Sequence, residues 1–145
     1  MIYTDLTRRA AETAYRAHMG QRDKAGMPYI FHPYHLAEQM EDELTVCIAL
    51  LHDVVEDTDV TFEDLEREFP AEVISALRLL THAEGEDYFA YVEKIRQDPA
   101  AVAVKAADLR HNSDLSRFPA HSPEYGRALE RRKKYAAALE ILLRE

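Results

Sequence analysis

Residues 45–57 read TVCIALLHDVVED and decide the fold, because the apolar run VCIALL leads directly into a cluster of charged side chains. Apolar positions recur in this stretch at the spacing of one helix face, at Val46, Ile48, Leu51 and Val55. The period predicts a helix over about 45–57. A run as apolar as VCIALL is typical of a helix that is buried by other parts of the protein on several sides. We therefore predict that this segment is the central helix of an all-α protein.

Helical spacing also runs through the rest of the chain, where alternating strand-like runs are nearly absent. A first helix is predicted from about Leu6 to His18. Pro33 is predicted to be the first residue of a second helix, which places His32 just before that helix. Further helices are predicted over about 61–69, 71–82, 87–97, 99–112 and 123–143. This pattern predicts one compact helical domain over residues 1–145.

Composition narrows the classes of function. The chain has 27 acidic residues against 18 Lys and Arg, and this net charge of −9 argues against nucleic-acid binding through a basic surface. No apolar run approaches the roughly 20 residues of a membrane helix. The first ten residues lack the apolar core of a signal peptide, so we expect a cytoplasmic protein without membrane partners. The single cysteine, Cys47, leaves nitrogen and oxygen atoms as the ligands of any metal.

The charged end of the central helix, HDVVED, contains His52, Asp53, Glu56 and Asp57. On a continuous helix, His52 would lie beside Glu56, and Asp53 would lie beside both following acids. Acids near a helix C-terminus oppose the helix dipole by about 0.3–1 kcal/mol each, and like charges at this spacing repel each other. A solvated acidic face is the common explanation of such a cluster. A bound cation would explain why it follows so apolar a run.

A metal held by His52 and Asp53 needs further ligands, and the sequence offers two candidates. His32 stands at the start of a helix, where capping or packing is the more common use of a lone histidine. Asp108 lies near Lys105 in VAVKAADLRHN, where an exposed charge is the more common use. Each candidate is weak by itself, and it is their combination with the HD pair that indicates a metal site.

Three stretches, PYIFHP, ALLHDVVEDT and VKAADLRHN, resemble in order and approximate spacing the signature of a known family. This family is the HD-superfamily hydrolase domain of RelA/SpoT-type alarmone enzymes, which also exists as stand-alone small alarmone hydrolases. The closing RRKKYAAALEIL is similar to the last helix of that family. The resemblance implies an all-helical HD-domain bundle. Because the chain ends soon after this bundle, no synthetase domain is expected.

The resemblance also implies roles for the residues of these motifs. It makes four residues the ligands of a divalent metal, usually manganese in that family: His32, His52, Asp53 and Asp108. Two imidazoles and two carboxylates suit such an ion, and they leave iron, cobalt and zinc open. Glu56 and Asp57 match the catalytic acids of the family. One of them can orient or deprotonate a water, and the pair can shuttle protons.

The reaction implied by the resemblance is removal of pyrophosphate from the 3′ position of guanosine tetra- or pentaphosphate, which returns GDP or GTP. Because this substrate is highly anionic and the protein is acidic, positive side chains are expected to be concentrated at the site. The residues expected to bind substrate are Arg22, Lys24, Lys105, Arg110 and Asn112. For the four cations among them, a solvated surface charge is the more common use. Asp23 and Asp114 depart from the family pattern and remove positive charge from the expected phosphate path.

Two other functions remain open from the sequence. One keeps the metal site and changes the substrate to another nucleotide or phosphoester, as Asp23 and Asp114 permit. The other is a non-catalytic helical module in which the ion is structural and a nucleotide is sensed. Glu56 and Asp57 argue against this module, because a structural site would not require them. The predicted partner is a small-molecule nucleotide substrate, and the sequence predicts no particular oligomeric state.

Overall fold

The computed structural model describes residues 1–145, and all of its regular structure is helical. The α-helices are α1 (Asp5–Ala17), α2 (Phe31–Glu38), α3 (Glu43–Leu51), α4 (Val54–Asp57), α5 (Phe62–Glu66), α6 (Ala71–Leu80), α7 (Tyr88–Ile95), α8 (Pro99–Asn112) and α9 (Pro123–Leu142). A short 3₁₀ turn, Leu115–Arg117, lies between α8 and α9. The predicted all-α fold is confirmed. No helix is long and apolar enough to cross a membrane.

Helix α3 is the centre of the bundle. All residues over 45–51 are buried, and helices α1, α2, α6 and α8 pack around them. Asp42 caps the start of α3, where its side chain accepts a hydrogen bond from the Thr45 N–H at 2.8 Å. Of the buried apolar residues, 28 form one continuous core. The prediction that VCIALL belongs to the central helix is therefore confirmed.

The helix predicted over 45–57 is interrupted at His52 and Asp53, so its predicted continuity is wrong. The backbone of Asp53 has φ −108° and ψ 1°, and only the single turn α4 follows it. The Nδ1 atom of His52 lies 2.7 Å from the carbonyl oxygen of Ala49, and this bond competes with the regular helical pattern. Val55, which was predicted to face the core, is only half-buried because it follows the break.

Helix α2 begins at Phe31, two residues before the start predicted at Pro33. Proline is accommodated at the third position because the N–H groups of a first turn have no partner within the helix. His32 therefore lies inside the first turn and not before it. Its side chain is 3% exposed, whereas the neighbouring Phe31 is 54% exposed. The helix thus fixes the direction in which His32 points.

Helices α8 and α9 carry the remaining parts of the site. Their predicted starts at Pro99 and Pro123 are confirmed, and Asp98 and Ser122 cap them. Helix α8 packs on α3 and α9, and Asp108 near its end is 5% exposed. The bundle thereby brings the end of α8 to the break that follows α3.

Candidate metal centre and active-site cavity

Four side chains from three parts of the chain converge at one point. The potential ligand atoms of His32, His52, Asp53 and Asp108 all lie within 4.8 Å of one another. Helix α2 carries His32, the break after α3 carries His52 and Asp53, and α8 carries Asp108. Three of the four residues are buried, and Asp53 is partly exposed. The structure therefore brings together the four residues that were expected to hold a metal, and ligation itself stays a prediction.

The imidazoles and carboxylates of this cluster alternate around a common centre. His32 Nε2 lies 2.9 Å from Asp108 Oδ1 and 4.0 Å from Asp53 Oδ2. His52 Nε2 lies 3.0 Å from Asp53 Oδ2 and 3.5 Å from Asp108 Oδ1. Although His52 Nε2 is buried, it has no partner with hydrogen-bond geometry. A buried nitrogen without such a partner, facing two carboxylates, fits a cation site.

In each imidazole, the ring nitrogen that faces away from the cluster has a hydrogen-bond partner, as is usual for metal-binding histidines. His52 Nδ1 faces the Ala49 carbonyl, which can only accept, so Nδ1 carries a proton and Nε2 is the ring nitrogen that can bind an ion. His32 Nδ1 lies 2.7 Å from His111 Nδ1. Hydrogen bonds of this kind fix the tautomer and the orientation of ligating histidines.

The two carboxylates also have partners outside the cluster. Asp53 Oδ2 accepts a hydrogen bond from the hydroxyl of Tyr29. Asp108 accepts from Lys105 Nζ at 2.9 Å and from Asn112 Nδ2 at 3.0 Å. Burial alone would raise the pKa of Asp108, but Lys105 and the two imidazoles hold this pKa well below its usual value. Asp108 is therefore ionised, as a metal ligand must be.

The electrostatics of the cluster favour positive charge at its centre. Burial would lower the pKa of His52, but Asp53 and Asp108 raise this pKa well above its usual value. The carboxylates that stabilise a proton on a ring nitrogen would equally stabilise a divalent cation. With two imidazole nitrogens, two carboxylates and no thiolate, the donor set fits a borderline-to-hard divalent ion.

Glu56 and Asp57 stand beside the cluster. Carboxylate oxygens of Asp53, Glu56 and Asp57 lie within 4.8 Å of one another. Burial first, and then the charges of Asp53 and Glu56, raises the pKa of Asp57 to about 6. Burial also raises the pKa of Glu56, although a 2.7 Å hydrogen bond from the His82 N–H opposes that rise. An acid with such a raised pKa can accept and return a proton near neutral pH.

These groups open onto a cavity of about 630 Å³. Four of the five residues that were expected to bind substrate line it, namely Arg22, Lys24, Lys105 and Asn112. Arg110 is exposed and lies outside the cavity, so its part in substrate binding stays a prediction. On a helix, a residue two positions after Asp108 points about 200° away from it. Lys105 and Asn112 lie three and four positions from Asp108 and share its face, where both bond it directly.

Several residues of the cavity were missed by the sequence analysis. Two are cations, Arg117 and Arg131, and three are aromatic, Tyr88, Phe118 and Tyr135. Arg131 and Tyr135 are four residues apart on α9, so helical spacing places them on one face. The spacing does not predict that this face lines the cavity, because the position of α9 beside the cavity depends on the tertiary packing.

The two aspartates that depart from the family pattern serve the local structure. Asp23 Oδ1 accepts two backbone N–H groups of its own turn, and Oδ2 accepts from Arg117 at 2.9 Å. Asp114 Oδ1 accepts from the Ser116 N–H at 3.0 Å and caps the 3₁₀ turn. Arg117 therefore neutralises the negative charge that Asp23 brings to the cavity wall.

Comparison with known proteins places the sequence motifs in context. A protein-family model described as "HD domain" matches residues 10–111. The probable GTP pyrophosphokinase of Mycobacterium leprae is 37% identical over 126 residues, which cover 78% of this chain and 16% of that protein. The bifunctional (p)ppGpp synthase/hydrolase SpoT of Escherichia coli K12 is 36% identical over 120 residues, which cover 72% and 17%. The chain therefore spans less than a fifth of the length of these curated relatives.

A solved structure extends the similarity to the whole bundle. It belongs to a metazoan orthologue of SpoT that is described as hydrolysing ppGpp. The two structures align with a TM-score of 0.77 and 26% sequence identity, over 99% of this chain and 88% of the other. The similarity of fold thus includes all the elements that carry the cluster and the cavity.

Proposed function

Because this chain belongs to the HD-domain family, we propose that it is a metal-dependent hydrolase that removes pyrophosphate from the 3′ position of guanosine tetra- or pentaphosphate. Family membership and the homology with SpoT confirm the resemblance carried by the three sequence motifs. One observation carries the proposal. The four potential ligand atoms meet within 4.8 Å, with two further carboxylates beside them, on the wall of a cavity lined by cations.

The HD-domain family and the donor set both imply binding of a divalent metal. We propose Mn²⁺ as the ion and His32, His52, Asp53 and Asp108 as its ligands, because two imidazoles and two carboxylates suit it. When bound, such an ion supplies a Lewis acid that neutralises phosphoryl charge and lowers the pKa of water. The burial of the ligands and their hydrogen bonds to Ala49, His111, Tyr29 and Lys105 hold the donor atoms in place.

Glu56 and Asp57 are proposed as the acid–base pair. In the hydrolysis, a water oxygen bonds to the phosphorus next to the ribose, the bond from that phosphorus to the 3′ oxygen breaks, and the 3′ oxygen receives a proton. The hydrogen bond from the His82 N–H fixes the carboxylate of Glu56, which can then orient the water and take its proton. Asp57, with a pKa of about 6, can return a proton to the leaving oxygen.

The remainder of the cavity suits a polyanionic nucleotide. Burial lowers the pKa of Lys24, and the nearby positive charges of Arg131 and Lys134 lower it further. Positive charge is thus concentrated at this wall of a protein whose net charge is −9, and bound phosphate groups would relieve the repulsion. The aromatic rings of Tyr88 and Tyr135 line the same cavity and can pack against a purine.

The proposal is tested with protein that has been loaded with Mn²⁺ and incubated with guanosine tetraphosphate. We expect release of pyrophosphate and GDP, and no release from GTP, which has no 3′ pyrophosphate. A panel of other nucleotides and phosphoesters is tested in parallel. Cleavage of one of these in place of the tetraphosphate would favour the alternative substrate. Metal-loaded protein that binds guanosine tetraphosphate without cleaving any compound would support the sensing module instead.

Arg131 is expected to contribute to substrate binding through its charge. Replacing Arg131 with Gln should raise KM for the tetraphosphate by about 10–100-fold, because a hydrogen bond to a charged group contributes about 1.5–3 kcal/mol. Because Arg131 lies outside the metal cluster, kcat should change much less. The measurement is steady-state kinetics, with Arg132→Gln as the control, since this neighbour is exposed and outside the cavity. Equal changes of KM in the two variants would contradict the prediction.

A further inference from the structure

The two histidines of the metal cluster differ in what holds their far nitrogen. His52 Nδ1 faces a carbonyl oxygen, so its proton can lie only on His52. His32 Nδ1 faces another imidazole nitrogen, Nδ1 of His111, at 2.7 Å. An imidazole nitrogen can donate or accept, so the proton between these rings has two possible positions. Only the position on His32 Nδ1 leaves the lone pair of His32 Nε2 free to face an ion.

The geometry of the His32–His111 pair is that of a hydrogen bond in the plane of both rings. The ring planes lie within 10° of each other, and the centroids are 5.0 Å apart. The 2.7 Å between the two nitrogens is much shorter than the about 3.5–4.0 Å of ordinary contacts between ring faces. The rings therefore meet edge to edge, in the direction of both the N–H bond and the lone pair.

His111 has one contact at its ring and one at its backbone. The ring of His35 packs against the ring of His111, with 4.2 Å between the ring centroids. The backbone carbonyl of His111 accepts a hydrogen bond from Arg117 Nη1 at 2.9 Å. His111 also follows Asp108 by three residues on α8, so one helix carries both a predicted ligand and the partner of another ligand. The backbone hydrogen bond and the position on α8 therefore determine where the ring of His111 meets His32.

We propose that His111 is a positioning residue of the metal centre, whose Nδ1 accepts the Nδ1–H of His32 and thereby presents His32 Nε2 to the ion. The inference rests on the proposed metal site and adds to it a residue that is neither a ligand nor an acid. A group that donated to His32 Nδ1 would leave the proton on Nε2 and remove His32 from the ligand set.

The test compares the Mn²⁺ affinity of three variants. Each variant is titrated with Mn²⁺ alone, and electron paramagnetic resonance measures the concentration of the free ion. His111→Leu should weaken Mn²⁺ binding by about 10–100-fold, the usual effect of removing a partner of a ligating histidine. His111→Asn should retain most of the affinity, because the amide oxygen can accept the same proton. His35→Leu removes the other ring that touches His111 without touching the hydrogen bond, and it should bind Mn²⁺ like the parent protein.

Two results in this series would overturn the inference. One is unchanged affinity in His111→Leu. The other is a loss in His111→Asn or His35→Leu equal to that in His111→Leu, which would make the role of His111 one of packing. Because no nucleotide is present, a protein that binds Mn²⁺ but does not cleave the alarmone would refute the proposed function and leave this inference standing.

A second measurement uses the parent protein and so does not depend on the folding of a variant. In the zinc-loaded protein, ¹⁵N-detected resonances of the histidine rings report which nitrogen carries the proton. We expect a proton on Nδ1 of His32 and an unprotonated Nδ1 on His111. An unprotonated His32 Nδ1 beside a protonated His111 Nδ1 would overturn the inference.

Discussion

Replacement of Glu56 by Gln is expected to lower kcat for pyrophosphate release by about 10²–10⁴-fold, while the affinity for Mn²⁺ remains that of the parent protein. Glutamine keeps the shape of the side chain, and its Oε1 can still accept the hydrogen bond from the His82 N–H, which is 2.7 Å long. What the variant loses is the ability to take a proton from water. The measurements are single-turnover kinetics at saturating metal and a Mn²⁺ titration of the same sample.

The matched control is Glu63→Gln, the same chemical change at a side chain that is 79% exposed on α5 and outside the cavity. Its turnover should equal that of the parent protein. An unchanged rate in Glu56→Gln would show that another group takes the proton. A parallel loss of Mn²⁺ in Glu56→Gln would instead make this residue a ligand.

Replacement of Asp53 by Asn is expected to weaken Mn²⁺ binding by at least about 100-fold and to abolish turnover at micromolar metal. Removing a residue that only hydrogen-bonds to a metal ligand usually weakens metal binding by about 10–100-fold. Removing the charge of a ligand itself should therefore weaken it by at least the upper end of that range. Asparagine keeps the shape and can still accept the hydrogen bond from Tyr29, so the effect comes from the charge. The measurement is a Mn²⁺ titration by electron paramagnetic resonance.

The control for this variant is Asp59→Asn, which removes the same charge from an exposed position six residues further along the chain. We expect it to bind Mn²⁺ and to turn over substrate like the parent protein. If Asp53→Asn holds Mn²⁺ as tightly as Asp59→Asn, the ion does not bind at the predicted cluster.

Local rules were sufficient to predict most of the fold. The caps Ser122 and Asp98, each followed by proline, follow from the unpaired N–H groups of a first helical turn. Burial around α3 follows from its apolar sequence. The break at His52 does not follow from such rules, because the side chain of His52 bonds to Ala49 and the HD pair faces His32 of α2 and Asp108 of α8. Helical period alone therefore predicted too long a helix.

The candidate site was predictable where motifs marked it and not where only tertiary packing forms it. The resemblance indicated the four expected ligands, and the structure brings them together. Helical phase around Asp108 would have distinguished Arg110, which points away, from Lys105 and Asn112, which share its face. Arg131 and His111 could not be assigned from the sequence. Their roles depend on atoms of other elements, and no local pattern specifies that contact.

The origin of the cluster in the most buried helix has a consequence for redesign. The HD pair follows the end of α3, which lies inside the continuous core. In contrast, Arg22 and Lys24 come from the connection after α1, and Arg131 comes from the face of α9 that lines the cavity. Substitutions of these three side chains leave the packing of the interior untouched. Directed evolution toward a new phosphorylated compound can therefore randomise these three cavity residues while the HD pair and the core that holds it are kept.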